Sequence, residues 1–289
     1  MQIYTRICNY YTKYSILDFY IIFPCLPYAL MEKIVALDTE FERIRTYKPI
    51  LSIVQVCFEG EEPKIFDVLK KDPDEMNELK ILLSNDKIIK IIHSARQDVE
   101  AVYYHFGIAM QNIFDTQIAV KCLTGENEIG YANLVKNYCY TEIVKEKRLQ
   151  HSNWMKRPLL EEQIFYAKQD VRYLCQAYRV LSKLLEQNDN KNRFINECEL
   201  LANKDNYTFN PLHFWQKIKH KFHYTSNYNL IRDLFILREK IAYKVNLPRE
   251  FVIKTQNLFN FAETGDFSFL KTHRKVNKKI FINLYNRER

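Results

Sequence analysis

Asp38 and Glu40 stand two residues apart in the apolar run 33–41 (KIVALDTEF), and the period of two along a strand sends both carboxylates to one face. Two acids on a core strand are costly, because desolvation raises their pKa values. The pair therefore calls for a cation or for a strand end open to water. Asp170 follows Tyr166 by four residues within a helical pattern, so a phenol and a carboxylate project from one face a turn apart. Asp98, shortly after His93-Ser94-Ala95, is a fourth acid. Each has a plainer reading: a strand that stops at Leu37, a polar helix edge, a first-turn acid facing the helix dipole. Together, three separated segments can bring four carboxylates to one place. Hard oxygen donors suit Mg²⁺ or Mn²⁺ and not zinc. Two such ions, about 3.5–4 Å apart, are a device for in-line attack on a phosphodiester.

The elements that must position these residues are legible from the hydrophobic pattern. Residues 33–41 and 51–58 (LSIVQVCF) read as strands, and a Glu-Gly-Glu-Glu-Pro turn leads into a third at 64–68, an antiparallel meander. Alternation follows: a helix near 74–83, a strand at 88–93, a helix from 97 to about 106, a short strand at 113–114 and a helix beyond it. Strands paired first by hairpins and then through helices give a mixed sheet flanked by helices, an α/β fold. Residues 161–187 read as one long helix, with Ile164, Ala167, Val171, Leu174, Tyr178, Leu181 and Leu185 along one stripe. Polar breaks at 188–192 and 203–210 precede a mainly helical remainder, so the chain divides into residues 1–205 and 206–289.

Composition narrows the chemistry. Among 289 residues there are only five glycines, and none is spaced as a phosphate-cradling loop needs, which argues against a nucleotide cofactor. Seven scattered cysteines without a CxxC pair read as reduced thiols of a cytoplasmic protein. The apolar stretch 15–31 is 17 residues long, carries Asp18 and is broken by Pro24 and Pro27, so it reads as buried domain structure and not as a membrane span or a signal peptide. Charge is uneven: of the net +8, residues 206–289 carry 16 Lys/Arg against 6 Asp/Glu, and residues 1–205 are nearly neutral. A concentrated basic segment is the footprint of a polyanion binder. Arg274, Lys275, Lys278 and Lys279 are its candidate nucleic-acid contacts.

The motifs together resemble a known family, ribonuclease D, in the DEDD class of 3′–5′ exonucleases, tyrosine subtype. Asp38-Thr39-Glu40-Phe41-Glu42-Arg43-Ile44-Arg45-Thr46-Tyr47-Lys48-Pro49 is similar to its first motif with a Thr-Tyr-x-Pro extension. His93-Ser94-Ala95-Arg96-Gln97-Asp98 with Phe114-Asp115-Thr116-Gln117 is similar to the second, and Arg157-Pro158-Leu159 followed by Tyr166-Ala167-Lys168-Gln169-Asp170-Val171 to the third. The run 233–239 with Leu247-Pro248 and Val252 resembles the helical HRDC domain shared by RecQ-type helicases and ribonuclease D, although Leu237 stands where an aromatic residue is usual. The departures in the second motif are Ser94 and Ala95, where Ala-Gly is usual.

The resemblance implies a ribonuclease-H-like α/β exonuclease domain followed by a small all-α HRDC-like domain. It implies two Mg²⁺ or Mn²⁺ ions, Asp38 shared between them, Glu40 and Asp170 on one, Asp98 holding the other through water, and the Tyr166 hydroxyl aligning the attacking water. The implied substrate is RNA with a free 3′ end, above all precursors of tRNA and small structured RNAs, and a monomer without membrane attachment is expected. A DNA 3′–5′ exonuclease and a non-catalytic RNA-binding protein on the same fold are the alternatives. Asp115 is expected to order the second motif or cap a helix, His93 to be a hydrogen-bonded core residue, His220 and His223 to lie on a polar face, and Trp154 and Trp215 to pack. Because all five site residues precede position 206, hydrolysis of a very short oligonucleotide is expected to survive loss of the basic segment.

Overall fold

The computed structural model describes residues 33–288 apart from 145, 223, 224 and 226, and the chain from Ile34 onward forms one compact unit. The apolar segment 15–31, Cys8, Cys25 and His223 lie outside the described residues. Strands β1 (Ile34–Glu42), β2 (Ile50–Phe58), β3 (Lys64–Asp67), β4 (Ile89–Ile92) and β5 (Ile113–Asp115) form one sheet in the order β3-β2-β1-β4-β5. The first three pair antiparallel, whereas β4 and β5 join parallel to β1. Parallel neighbours need crossovers, which α1 (Pro73–Ser84) and α2 (Arg96–Phe106) supply. This is the mixed sheet that the hairpin-then-alternation pattern implies. After β5 come α3 (Thr116–Thr124), α4 (Tyr131–Cys139), α5 (Glu161–Arg172), α6 (Leu174–Glu186) and α7 (Lys191–Ala202). The chain ends with α8 (Pro211–Ile218), α9 (Tyr228–Val245), α10 (Thr255–Thr264) and α11 (Lys279–Glu288).

Helices cover both faces of the sheet, which explains why β2 is apolar at nearly every position instead of alternating. On one face Val35, Leu37, Val54, Val56 and Phe66 pack against Leu79 and Leu83 of α1 and Val99 and Val102 of α2. On the other, Ala36, Cys57, Ile91 and Phe114 pack under α3, α4 and α6, through residues such as Val120, Leu134, Leu174 and Leu181. Local chemistry sets the helix ends. The Asp72 carboxylate accepts from the backbone of Asp74 and Glu75 just before Pro73 opens α1, and Asp115 does the same for Gln117 and Ile118 at the start of α3. All five described cysteines are free and buried, and no helix among the described residues is long and apolar enough to cross a membrane.

The single helix expected over 161–187 is two helices, divided at Tyr173. The cause is a side chain inserted into the ladder. The Tyr131 hydroxyl donates to the Gln169 carbonyl at 2.9 Å and accepts from the Tyr173 amide at 3.3 Å, the two groups that an uninterrupted helix would join to each other. The apolar stripe runs on across the break, so periodicity alone cannot register it.

A third core lies among the C-terminal helices, built on Trp215, Phe222, Leu234, Phe235, Phe261 and Phe281. Arg238 is wholly buried in it, with its guanidinium over the rings of Phe214 and Phe235 and donating to the Ile253 carbonyl and the Thr255 hydroxyl. Cation–π contact and charge-assisted hydrogen bonds offset part of the desolvation of that charge, and burial still lowers its pKa to about 10. Tyr207 belongs instead to the core beneath α2, whereas Tyr47, from the β1–β2 loop, packs on the C-terminal core.

Candidate active site

β1 pairs with β4 only over Ile34–Ala36, whereas its pairing with β2 runs on to Glu42. The second half of β1 therefore has one open edge, beyond the carboxyl end of β4, and Asp38 and Glu40 stand there half-buried. Open crevices outside the carboxyl ends of parallel strands are the usual binding position in α/β sheets. The strand is also bent at this point. Glu40 faces Ile53 and Phe41 faces Leu51, so Ser52 is an extra residue, a bulge opposite the second acid.

α5 supplies the third carboxylate. One oxygen from each of Asp38, Glu40 and Asp170 lies within 4.8 Å of the others. Asp170 is 6% exposed and Tyr166 7%. The Tyr166 hydroxyl hydrogen-bonds to Asp170, and burial, followed by the charges of Asp170, Glu40 and Asp38, pushes its pKa far above the ordinary phenol value. With its pKa raised above the ordinary phenol value, Tyr166 keeps its proton at neutral pH and donates it to the Asp170 carboxylate. Its ring packs with Ile53, Leu149, Trp154 and Ala167.

Asp98 occupies a different position. It approaches from α2 on the opposite face of the sheet, and its Oδ1 accepts from both the amide and the hydroxyl of Thr39, the residue between the two acids. It is not in the group of three whose oxygens share the 4.8 Å spacing. Burial raises its pKa to about 7, the Thr39 bonds oppose that shift, and the Asp115 charge adds to it. Asp115 orders the second motif in the way its position implies. Its carboxylate accepts from the Ser94 and Ala95 amides while capping α3, and this holds Ser94 at a positive φ of 64°. His93 bonds to the Thr116 hydroxyl and the Ile129 carbonyl, and Trp154 and Trp215 are buried. His220 is exposed, as are Arg274, Lys275, Lys278 and Lys279, which lie in the loop before α11 and at its first residue.

Three groups around the site escaped the sequence reading of roles. Arg157 of the third motif is a clamp: it grips Asp67 of β3 through two nitrogens at 2.8 and 2.7 Å and also donates to the Ser52 hydroxyl and the Trp154 carbonyl. The Ser52 hydroxyl donates in turn to Trp154, so the bulge is tied to the loop that leads into α5. Gln55, directly opposite Asp38, is wholly buried, and neither polar atom of its side chain finds a hydrogen-bond partner among the described residues. A glutamine within the apolar run LSIVQVCF was its available signal. Tyr131, through the break it makes, sets the direction of α5 just past Asp170, and no spacing rule marks it.

These features define a class. A model of the 3′–5′ exonuclease family matches residues 27–186, and the chain belongs to that family. Within it the likeness is to ribonuclease D. The chain is 33% identical over 234 residues to ribonuclease D of Gluconacetobacter diazotrophicus, covering 81% of this chain and 58% of that protein. It therefore spans less than two thirds of the curated relative's length. Among solved structures, Escherichia coli RNase D, an exoribonuclease involved in structured RNA processing, superposes with a TM-score of 0.77 at 27% identity, over 88% of this chain and 69% of that one. NrnC of Brucella melitensis with bound Mg²⁺ gives a TM-score of 0.51 at 25% identity, over 61% and 86%.

Exonucleases of this fold work with divalent metal ions, and the donor set fits them. Three carboxylates with oxygens this close repel one another unless a cation lies between them, and all-oxygen ligation is what Mg²⁺ and Mn²⁺ take. The Tyr131 bridge yields a test of the geometry. Tyr131→Phe removes the hydroxyl from the helix break and should cost about 1–1.5 kcal/mol of stability, whereas displacement of Asp170 should slow exonuclease turnover by roughly ten-fold. Thermal unfolding and single-turnover rates measured side by side check this, and an unchanged rate would mean that the break serves packing alone.

Proposed function

We propose that the chain is a two-metal-ion 3′–5′ exoribonuclease that removes nucleotides from RNA 3′ ends, with precursors of tRNA and small structured RNAs as substrates and Mg²⁺ or Mn²⁺ as cofactor. The observation that carries this reading is the convergence of Asp38, Glu40 and Asp170 beside the Tyr166 hydroxyl in a 3′–5′ exonuclease fold. The likeness to an exoribonuclease over 88% of the chain supports RNA as the substrate class. Buried free thiols and the absence of a membrane-spanning helix among the described residues are compatible with a cytoplasmic enzyme.

In this reading Asp38, Glu40 and Asp170 would hold the divalent ions, with Asp98 assisting from α2. Bound divalent ions supply an activated water and neutralise charge on the phosphate. Tyr166 points its hydroxyl into the acidic cluster and orients the attacking water there. Thr39 holds Asp98 from behind the strand, so that the first and second motifs move as one piece. Residues 206–289 form the basic nucleic-acid-binding part, with Arg274, Lys275, Lys278 and Lys279 as phosphate contacts.

The direct assay uses labelled single-stranded RNA and DNA of equal length, each with and without metal. Wild type should shorten RNA from its 3′ end only with metal. Asp38→Ala should nearly abolish the reaction while RNA is still bound, and Tyr166→Phe should slow single turnover without loss of metal affinity. DNA cleaved as readily as RNA would remove the substrate assignment. The raised pKa of Asp98 makes metal binding depend on pH with a definite sign. Below about 7 its carboxyl keeps its proton and serves poorly as a ligand group, so metal affinity should rise as pH rises through that value. Calorimetric Mn²⁺ titrations across that range check this, with Asp98→Asn expected to flatten the dependence. For the basic segment, replacing Lys278 and Lys279 by Ala should lower the slope of log K against log salt by up to about 0.7 per lost contact on single-stranded RNA. An identical slope would make those lysines a solubility feature.

A further inference from the structure

The first motif runs past the acids into the loop between β1 and β2, and that loop is gripped by the C-terminal helices. The Tyr47 hydroxyl donates to Glu239 Oε2 on α9 at 2.9 Å, and the Glu239 side chain is 2% exposed. Arg249 holds the same carboxylate from the other side, at 2.7 and 3.1 Å. The Tyr47 ring meets Tyr243 and Phe209 edge-on, and those two stack with ring centres 4.0 Å apart. One residue on, the Lys48 amide donates to the Asn246 side chain at 2.8 Å and its ammonium lies over the Tyr243 ring. Burial, then the Glu239 charge, pushes the Tyr47 phenol up to about 12, as expected for a hydroxyl that keeps its proton and donates it to a carboxylate.

The loop is short and braced on the end of the catalytic strand. Glu42, the last residue of β1, accepts from the Ile44 and Arg45 amides through its side chain and from the Thr46 hydroxyl through its carbonyl. Arg43 is paired through two nitrogens with Glu100 of α2. Tyr47 is thus linked through Thr46 to Glu42, two residues from Glu40. Between Glu42 and Glu40 lies the one irregularity in the β1–β2 ladder, the bulge at Ser52. A bulge interrupts the ladder locally, so just past Glu40 the regular pairing of β1 with β2 is broken and the loop beyond is the next support of that strand end.

We propose that Tyr47 is a positioning residue through which α9 fixes the β1–β2 loop and hence Glu40, so that the C-terminal helical segment contributes to turnover as well as to RNA binding. This rests on the exonuclease reading of the acidic site. It adds a cost to the expectation that hydrolysis of a very short oligonucleotide survives loss of residues 206–289: removing α9 removes the anchor of the loop that carries Tyr47. A tie that served only to seal two cores together would alter melting and leave turnover untouched.

The test uses the full chain, with its basic segment unchanged in every variant, and an RNA trinucleotide with Mn²⁺. Tyr47→Phe keeps the ring packing and removes the donor, and should lower kcat by roughly ten-fold while KM stays within about two-fold. Glu239→Ala should do the same, the double variant should be no slower than the slower single one, and Glu239→Gln, which keeps an oxygen to accept the phenol, should recover most of the Glu239→Ala loss. Unchanged kcat in Tyr47→Phe, or losses that multiply in the double variant, would overturn the proposal. Should Glu239→Ala fail to fold, Tyr47→Phe decides alone, with its melting temperature as the check. A wild-type chain that releases no nucleotide from any RNA would instead bring down the exonuclease reading on which this rests.

Discussion

Three carboxylates with oxygens within 4.8 Å of one another do not stay together by themselves. Their mutual repulsion in a half-buried site is the constraint that the surrounding structure answers, because each must be held by covalent and packing forces strong enough to resist it. Two acids are fixed by being on one strand. The third is fixed by a helix whose stripe of Ala167 and Val171 is buried against the sheet. Asp98 is kept out of that crowd by the two hydrogen bonds from Thr39, on the far face of the same strand. The arrangement leaves three acids in one group and ties the fourth to Thr39, the residue between Asp38 and Glu40.

Two polar side chains do for this site what apolar packing cannot, which is to set angles. Arg157 joins β3, the bulge in β2 and the loop before α5 through six charge-assisted hydrogen bonds from three nitrogens. Tyr131 replaces one helical hydrogen bond with two bonds of its own and so lets α5 and α6 take different directions over one sheet. Hydrophobic burial is non-directional and tolerates small rotations of a helix, whereas these bonds are lost within a few tenths of an ångström. A metal site needs the second kind of precision.

The C-terminal helices extend the same logic. Their core is separate, yet Tyr47 is packed on it, and the residues that receive Tyr47 come from α9, the segment before α8 and the one-turn helix Arg249–Val252. A basic segment held this way is less a tether than a brace, and charge composition by itself describes only its outer surface.

Much of the design is written locally. The strand order of hairpins followed by crossovers, the shared face of Asp38 and Glu40, the one-turn spacing of Tyr166 and Asp170 and the helix cap at Asp115 all follow from periods of 2 and 3.6 and from which side chains accept backbone hydrogen bonds, and each was legible before any coordinates. The motif spacing further put Asp98 forward as a site residue, though not its hydrogen bonds to Thr39. What tertiary structure alone decided are the relations between residues far apart in sequence. These are the break at Tyr173 imposed by a hydroxyl 42 residues earlier, Arg157 gripping Asp67 90 residues away, and Tyr47 reaching Glu239 across 192 residues. The physical reason is that a periodic pattern records which way a side chain faces, whereas a hydrogen bond between distant segments depends on where the whole fold has carried them.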